Sequence, residues 1–120
     1  KSVSYALENE AFRAVPSFLK ERHGIALARR LVRTDIEGKE INLLGKGTKD
    51  GQEVMVVGEA TLRLDSRNKF LQLEENVELV SKHHPGIQIV PVMITHYATE
   101  NILQRAKEKG VIVIQSFEWE

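Results

Sequence analysis

Residues 54–64 read VMVVGEATLRL, and the fold turns on how that run is read. Three valines and a methionine in succession give the apolar, β-branched density of a buried strand, with polar turn residues before and after it. At a repeat of two, Val54, Val56, Gly58, Ala60 and Leu62 share one face, and Met55, Val57, Glu59, Thr61 and Arg63 share the other. Glu59 and Thr61 therefore point the same way, at the end of a strand otherwise made for a core. A carboxylate in that place is either a solvated strand end or part of a site.

Working backwards, EINLLG (40–45) reads as a short strand and GKGTKDGQ (45–52) as a polar, glycine-rich loop. The two strands are then antiparallel neighbours, which brings Asn42 close to Glu59. IALARRLVRT (25–34) is expected as one strand interrupted in its alternation by Arg29 and Arg30, with a turn around Gly38. Residues 3–22 carry helical spacing through Tyr5, Phe12, Val15, Phe18 and Leu19, with Pro16 expected to kink the helix or restart it and Gly24 to stop it. Working forwards, Phe70, Leu73, Val77 and Val80 define a second helix over 68–83. GIQIVPVMI (86–94) is a strand in which Pro91 marks a bulge or an edge. Thr99 caps a helix that ends near Lys109 before Gly110, and VIVIQSF (111–117) closes the chain as a buried strand. The order αβββαβαβ belongs to the α/β class: a mixed sheet with helices packed against it.

Composition agrees with one packed domain spanning residues 1–120. The chain is 42% hydrophobic and 28% charged, with three prolines, and it shows no repeat or low-complexity segment. Pro85, Gln88 and Pro91 break the longest apolar run, so no membrane span is expected. Zero cysteines exclude disulfides and thiolate metal sites and fit a cytoplasmic protein. The chain begins Lys-Ser-Val without an initiator Met, and we expect it to be the C-terminal part of a longer protein. Seventeen basic and seventeen acidic residues cancel, which weighs against strong autonomous DNA binding but leaves room for a basic patch on one face.

The element order, with KEINLLGKG (39–47), a loop and then VMVVGEATLRL, resembles the PD-(D/E)xK nuclease superfamily of the restriction-endonuclease-like fold. ALENEAFRAVPSFLKERHGI (6–25) and GVIVIQSF (110–117) resemble prokaryotic members of that group, and the likeness covers nearly the whole chain. It implies an αβββαβ core plus a further α/β pair, metal-dependent hydrolysis of DNA, and Mg²⁺ or Mn²⁺ as cofactor. Carried over by position, Glu59 matches the metal-binding acid and Glu10, or else Glu8, the additional helical acid. Asn42 stands where the family has Asp, and Thr61 where it has Lys. Lys69 and Gln72 lie where some members carry a relocated Lys or a Gln.

The two departures have chemical consequences. An Asn carbonyl can ligate a hard cation but brings no charge, so Mg²⁺ is expected to bind weakly if at all. Thr61 cannot offer a cation to a phosphate. Two readings follow: a nuclease with Glu59, Asn42 and Glu10 as metal ligands and Lys69 standing in for the missing Lys, or an inactive nucleic-acid-binding or assembly module of the same fold. DNA is the expected partner, a homo-oligomer is compatible, and no membrane or small-molecule cofactor is implied. Elsewhere, GKGTKDG lacks the order of a phosphate loop. His83 and His84 suit a helix C-terminus, and His96 has no second ligand at metal-like spacing. Arg29, Arg30, Arg33, Arg63 and Arg67 are either a groove for DNA or ordinary solvated charges.

Overall fold

A computed structural model describes residues 5–119. The elements in chain order are α1 (Tyr5–His23), β1 (Ile25–Leu27), β2 (Val32–Ile36), β3 (Lys39–Lys49), β4 (Gln52–Leu64), α2 (Lys69–His83), β5 (Gln88–Ala98), α3 (Glu100–Lys109) and β6 (Ile112–Gln115), followed by a 3₁₀ turn over Ser116–Trp119. Six strands form one mixed sheet in the order β1-β3-β4-β5-β6, with β2 also pairing to β3. The β1, β2 and β4 pairings with β3 are antiparallel. β4–β5 and β5–β6 are parallel, each joined through a helix as parallel neighbours require.

The alternation of β4 divides the interior into two cores. Val54 and Val56 face α1, where Leu7, Ala11, Val15 and Leu19 pack with Val92, Ile94 and Ile114. Met55 and Val57 face α2 and α3, where Phe70, Leu73, Val80, Ile102 and Ala106 pack with Met93. Pro16 lies inside α1, which nevertheless runs on to His23. Its cost of about 3 kcal/mol is smaller than the gain from burying Leu7, Val15, Phe18 and Leu19 on the sheet, at about 1.5–3 kcal/mol each.

Four details differ from the sequence reading. Residues 25–34 are two strands, not one: after the Ala28 N–H bonds the Lys46 carbonyl at 2.9 Å the chain leaves the ladder, the exposed Arg29 and Arg30 stay in solvent, and Leu31 turns into the core. The glycine-rich stretch is strand, because β3 continues through it to Lys49. Its glycines make room for the β1 segment. A Cβ on Gly47 would lie 2.6 Å from the Ala26 carbonyl oxygen, and one on Gly45 would lie 2.8 Å from the Leu31 side chain. The reversal is confined to Asp50 and Gly51, both at positive φ (52° and 76°) between the paired Lys49 and Gln52, the pattern of a two-residue hairpin turn. Pro91 lies in an interior strand, just before the Val92–Thr95 segment where β6 pairs alongside, so the missing N–H falls where one neighbour is already absent. Finally, β6 is a short strand at the sheet edge, and Trp119 folds back against the α1-side core.

Gly110 ends α3 as its sequence suggests, in the left-handed region at φ 75°. Thr99 precedes that helix in extended conformation but makes no side-chain capping bond. No described helix is long and apolar enough to cross a membrane.

Candidate functional site

The ladder between β3 and β4 is regular from Lys49↔Gln52 to Leu43↔Gly58, and Glu59 is the next residue. On the other side of β3 the register jumps between Val32↔Leu44 and Thr34↔Ile41, so β3 carries one extra residue over Asn42–Leu43. This bulge puts Ile41 into the α2 core and Leu43 into the α1 core, although the two are only two residues apart. Asn42 sits at the break. Its Oδ1 accepts the Ala60 N–H at 2.9 Å, replacing a strand carbonyl where the ladder stops.

Glu59 points to the α2 side and is only 8% exposed. Its carboxylate accepts the Asn42 backbone N–H and, at Oε2, the Asn76 Nδ2 donor from α2. Asn76 is wholly buried, and its Oδ1 has no hydrogen-bond partner. Burial pushes the Glu59 carboxyl up to about 7; the two amide bonds pull it down, and the nearby charges of Glu8 and Glu40 push it up. Near neutral pH the group therefore divides between acid and carboxylate. A strand glutamate two residues before a threonine has become a buried, amide-bound carboxyl.

On the opposite side of the sheet, Glu8 of α1 is 1% exposed. Arg33 of β2 reaches it with Nη2 at 2.7 Å and Nε at 2.8 Å, both on Oε1. The same Nε lies 3.7 Å from Glu40 Oε2. The guanidinium is flanked by the Tyr5 and Phe12 rings, 4.6 and 5.2 Å from their centroids.

The other candidates lie as follows. Glu10 is exposed on α1, and the helix acid that turns inward is Glu8. Thr61 is half-buried, its hydroxyl 3.5 Å from the Arg63 carbonyl oxygen. Lys69 donates to the Arg63 carbonyl at 2.8 Å and lies 4.0 Å from Asp65, holding the link between β4 and α2. Gln72 is exposed. The site thus brings Glu59 and Asn42 together as expected, adds Asn76, and leaves Glu10 and Gln72 in solvent. Among the described residues, no group of three His, Cys, Asp or Glu side chains is arranged to hold a metal ion. The arginines do not act alike: Arg33 is bound inside the Glu8 cluster, Arg63 pairs with Asp65 and lies over the Tyr97 ring, and Arg29, Arg30 and Arg67 are exposed. His83 pairs with Glu37 at 2.8 Å, and His96 with Ser116 at 2.7 Å.

The mixed sheet, with α1 on one face and α2 and α3 on the other, is a nuclease-like fold. It superposes on the crystal structure of a repair endonuclease from Pyrococcus abyssi with a TM-score of 0.58 at 16% identity, over 86% of this chain and 45% of that one. The structure of an EndoMS–dsDNA complex gives a TM-score of 0.52 at 15% identity, over 86% and 44%. The chain spans less than half the length of these solved structures, and at such identities the likeness is one of fold. Residues 9–118 match the family described as Domain of unknown function (DUF8196), and the chain belongs to that family. No curated protein matches it significantly.

Proposed function

We propose that the chain is a PD-(D/E)xK nuclease-like module in which metal-dependent phosphodiester hydrolysis has lapsed and nucleic-acid binding is what remains. One observation carries this reading: both hydrogen-bonding contacts of the buried Glu59 carboxylate are made by amide N–H donors of the chain itself. A Mg²⁺ ion takes about six oxygens in near-octahedral geometry and keeps several waters. Here the strand acid is enclosed, the helix acid Glu8 is bound by Arg33, and Asn42 Oδ1 already accepts a backbone N–H. In this reading the residues present do not fit the ion, and no hydrolytic step runs through it. Thr61 and Lys69 are likewise engaged with the Arg63 carbonyl and not with the Glu59 pocket.

The nucleic-acid part rests on the fold likeness, including a neighbour solved with double-stranded DNA, and on basic groups at the β4–α2 connection, where Arg63, Arg67 and Lys69 are exposed. With equal numbers of acidic and basic residues overall, binding should be weak and steeply salt-dependent. The test is fluorescence anisotropy with labelled duplex and single-stranded DNA at low and physiological salt, beside cleavage assays in Mg²⁺ and Mn²⁺ with wild type and Glu59→Ala. Binding at low salt without cutting is expected. Metal-dependent cutting that disappears in Glu59→Ala overturns the loss of hydrolysis. Absence of binding to every DNA form at low salt overturns the nucleic-acid partner.

A further inference from the structure

Two buried polar residues, Thr95 and Gln115, take no part in the Glu59 pocket. Both hold the far end of the parallel β4–β5 pair, where strict alternation fails. Ala60 and Ile94 pack on the α1-side core, yet four residues later Leu64 and Ala98 pack on the α2-side core. Each strand therefore rolls over by one face around the Thr61↔Thr95 and Arg63↔Tyr97 pairs. The Thr95 hydroxyl donates toward the Leu62 and Tyr97 carbonyl oxygens, 3.2 and 3.1 Å away, and accepts the Tyr97 N–H at 3.3 Å. Gln115 Oε1 accepts the Ala98 N–H at 2.9 Å. Buried polar groups satisfied in this way rigidify the backbone they bind. What they fix is Tyr97 in the open: it is 49% exposed, with the Arg63 guanidinium 4.9 Å from its ring centroid. A ring so held adds little to either core and is a ready stacking surface.

The same strand ends lead into a cleft of about 630 Å³ between the β4–α2 connection and α3. Asp65 and Thr99, two residues beyond Arg63 and Tyr97, both line it, as do Ser66, Arg67, Arg105 and Glu108. Asp65 is engaged by Arg63 and Lys69. Among the described residues Arg67 and Arg105 make no ion pair, and Glu108 is the one lining acid without a cation partner. Two free guanidiniums against one free carboxylate favour an anion here, and the guanidinium fork matches a phosphate.

We infer that this strand end binds single-stranded DNA, with an unpaired base stacked on Tyr97 and a neighbouring phosphate held by Arg67 and Arg105. The inference rests on the nucleic-acid reading above and names the form of nucleic acid. In a duplex the base faces are covered by their neighbours, so a single exposed ring selects a strand whose bases are free. Two arginines suit one or two phosphates of a short strand, and equal numbers of acidic and basic residues leave no excess charge for the many phosphates along a duplex.

The test is fluorescence anisotropy at low salt with a labelled oligothymidylate of about 12 nucleotides and a duplex of the same length. Wild type should bind the single strand more tightly than the duplex. Tyr97→Ala should weaken the single strand by about 5- to 100-fold and leave the duplex unchanged, while Tyr97→Phe should bind like wild type. Arg67→Gln with Arg105→Gln should reduce the salt slope for the single strand by about 1. A Tyr97→Ala chain that binds the single strand as well as wild type, or loses both forms equally, overturns the inference and leaves the nucleic-acid reading standing. If wild type binds no DNA of any form, both fall. Should Tyr97→Ala fail to fold, NMR of the wild type decides: the Tyr97 ring protons should move upfield as the oligothymidylate is added. Binding seen by anisotropy without that shift overturns the stacking.

Discussion

Glu59→Gln should stabilise the protein, and only above mildly acidic pH. The folded chain holds the Glu59 proton up to about 7, whereas the ordinary value is 4.5. Below the lower value the proton is present in both states and the contribution to stability is complete. As pH rises through the interval, the unfolded chain releases the proton and the folded chain resists, so stability falls and the loss is complete above about 7. At about 1.4 kcal/mol for each pH unit, the interval amounts to about 3 kcal/mol. Gln removes that cost while keeping the contacts. Its Oε1 can accept the Asn42 N–H, and its Nε2 can donate to Asn76 Oδ1, the buried atom now without a partner, once the Asn76 amide turns over. Urea unfolding followed by circular dichroism at about pH 5 and pH 8, with EDTA present, should show little difference at the lower pH. At the higher pH the midpoint should rise by about 1–3 M. A Gln variant less stable than wild type at pH 8 would refute the reasoning, since it would mean that the ionised carboxylate is the form the fold prefers. A difference independent of pH would show that the gain is packing and not protonation.

What the sequence disclosed and what it concealed divide along the range of the interactions. The faces of β4 follow from a period of two, so Glu59 is placed on the same side as Met55 and Val57 without knowledge of any partner. Its neighbour Asn42 follows from adjacent antiparallel strands. By contrast, Gly45 and Gly47 resemble a loop, because glycine density is a local loop signal, while their actual cause is the close approach of Ala26 and Leu31. Nothing near residue 47 announces that approach. Asn76 offered a usable signal: it occupies a stripe position between Leu73 and Val80 of α2, where a polar residue needs a buried partner. Glu8 similarly lies one turn before Ala11 and Phe12 on the inward side of α1, which favours it over Glu10 as the buried acid. Its bond to Arg33, 25 residues away, depends on a register shift in β3 that alternation cannot foretell.

Asn76→Ala should cost about 2–4 kcal/mol in urea unfolding through the lost side-chain volume and the lost donor to Glu59, and the cost should be larger at pH 8, where that donor faces an ionised carboxylate. Gly47→Ala should lower the melting temperature more than Gly51→Ala. The first drives a Cβ to 2.6 Å from a backbone oxygen, whereas the second bears only the left-handed penalty of about 1–2 kcal/mol. The last prediction joins the two halves of the site. Asn42→Asp keeps the acceptor for the Ala60 N–H but sets a second carboxylate near Glu59, so together with Thr61→Lys it rebuilds the residue types of an active nuclease. The double variant should bind Mn²⁺ more tightly than wild type, and without the ion it should be less stable than wild type at pH 8, where the two carboxylates repel each other. Its stability should then rise with Mn²⁺, by about 2.7 kcal/mol at a concentration a hundredfold above the dissociation constant. A folded double variant that ignores Mn²⁺ would show that restoring the acid at residue 42 and the Lys at residue 61 does not rebuild a metal site, and that the enclosure of Glu59 by Asn76 and the Asn42 N–H keeps the ion out.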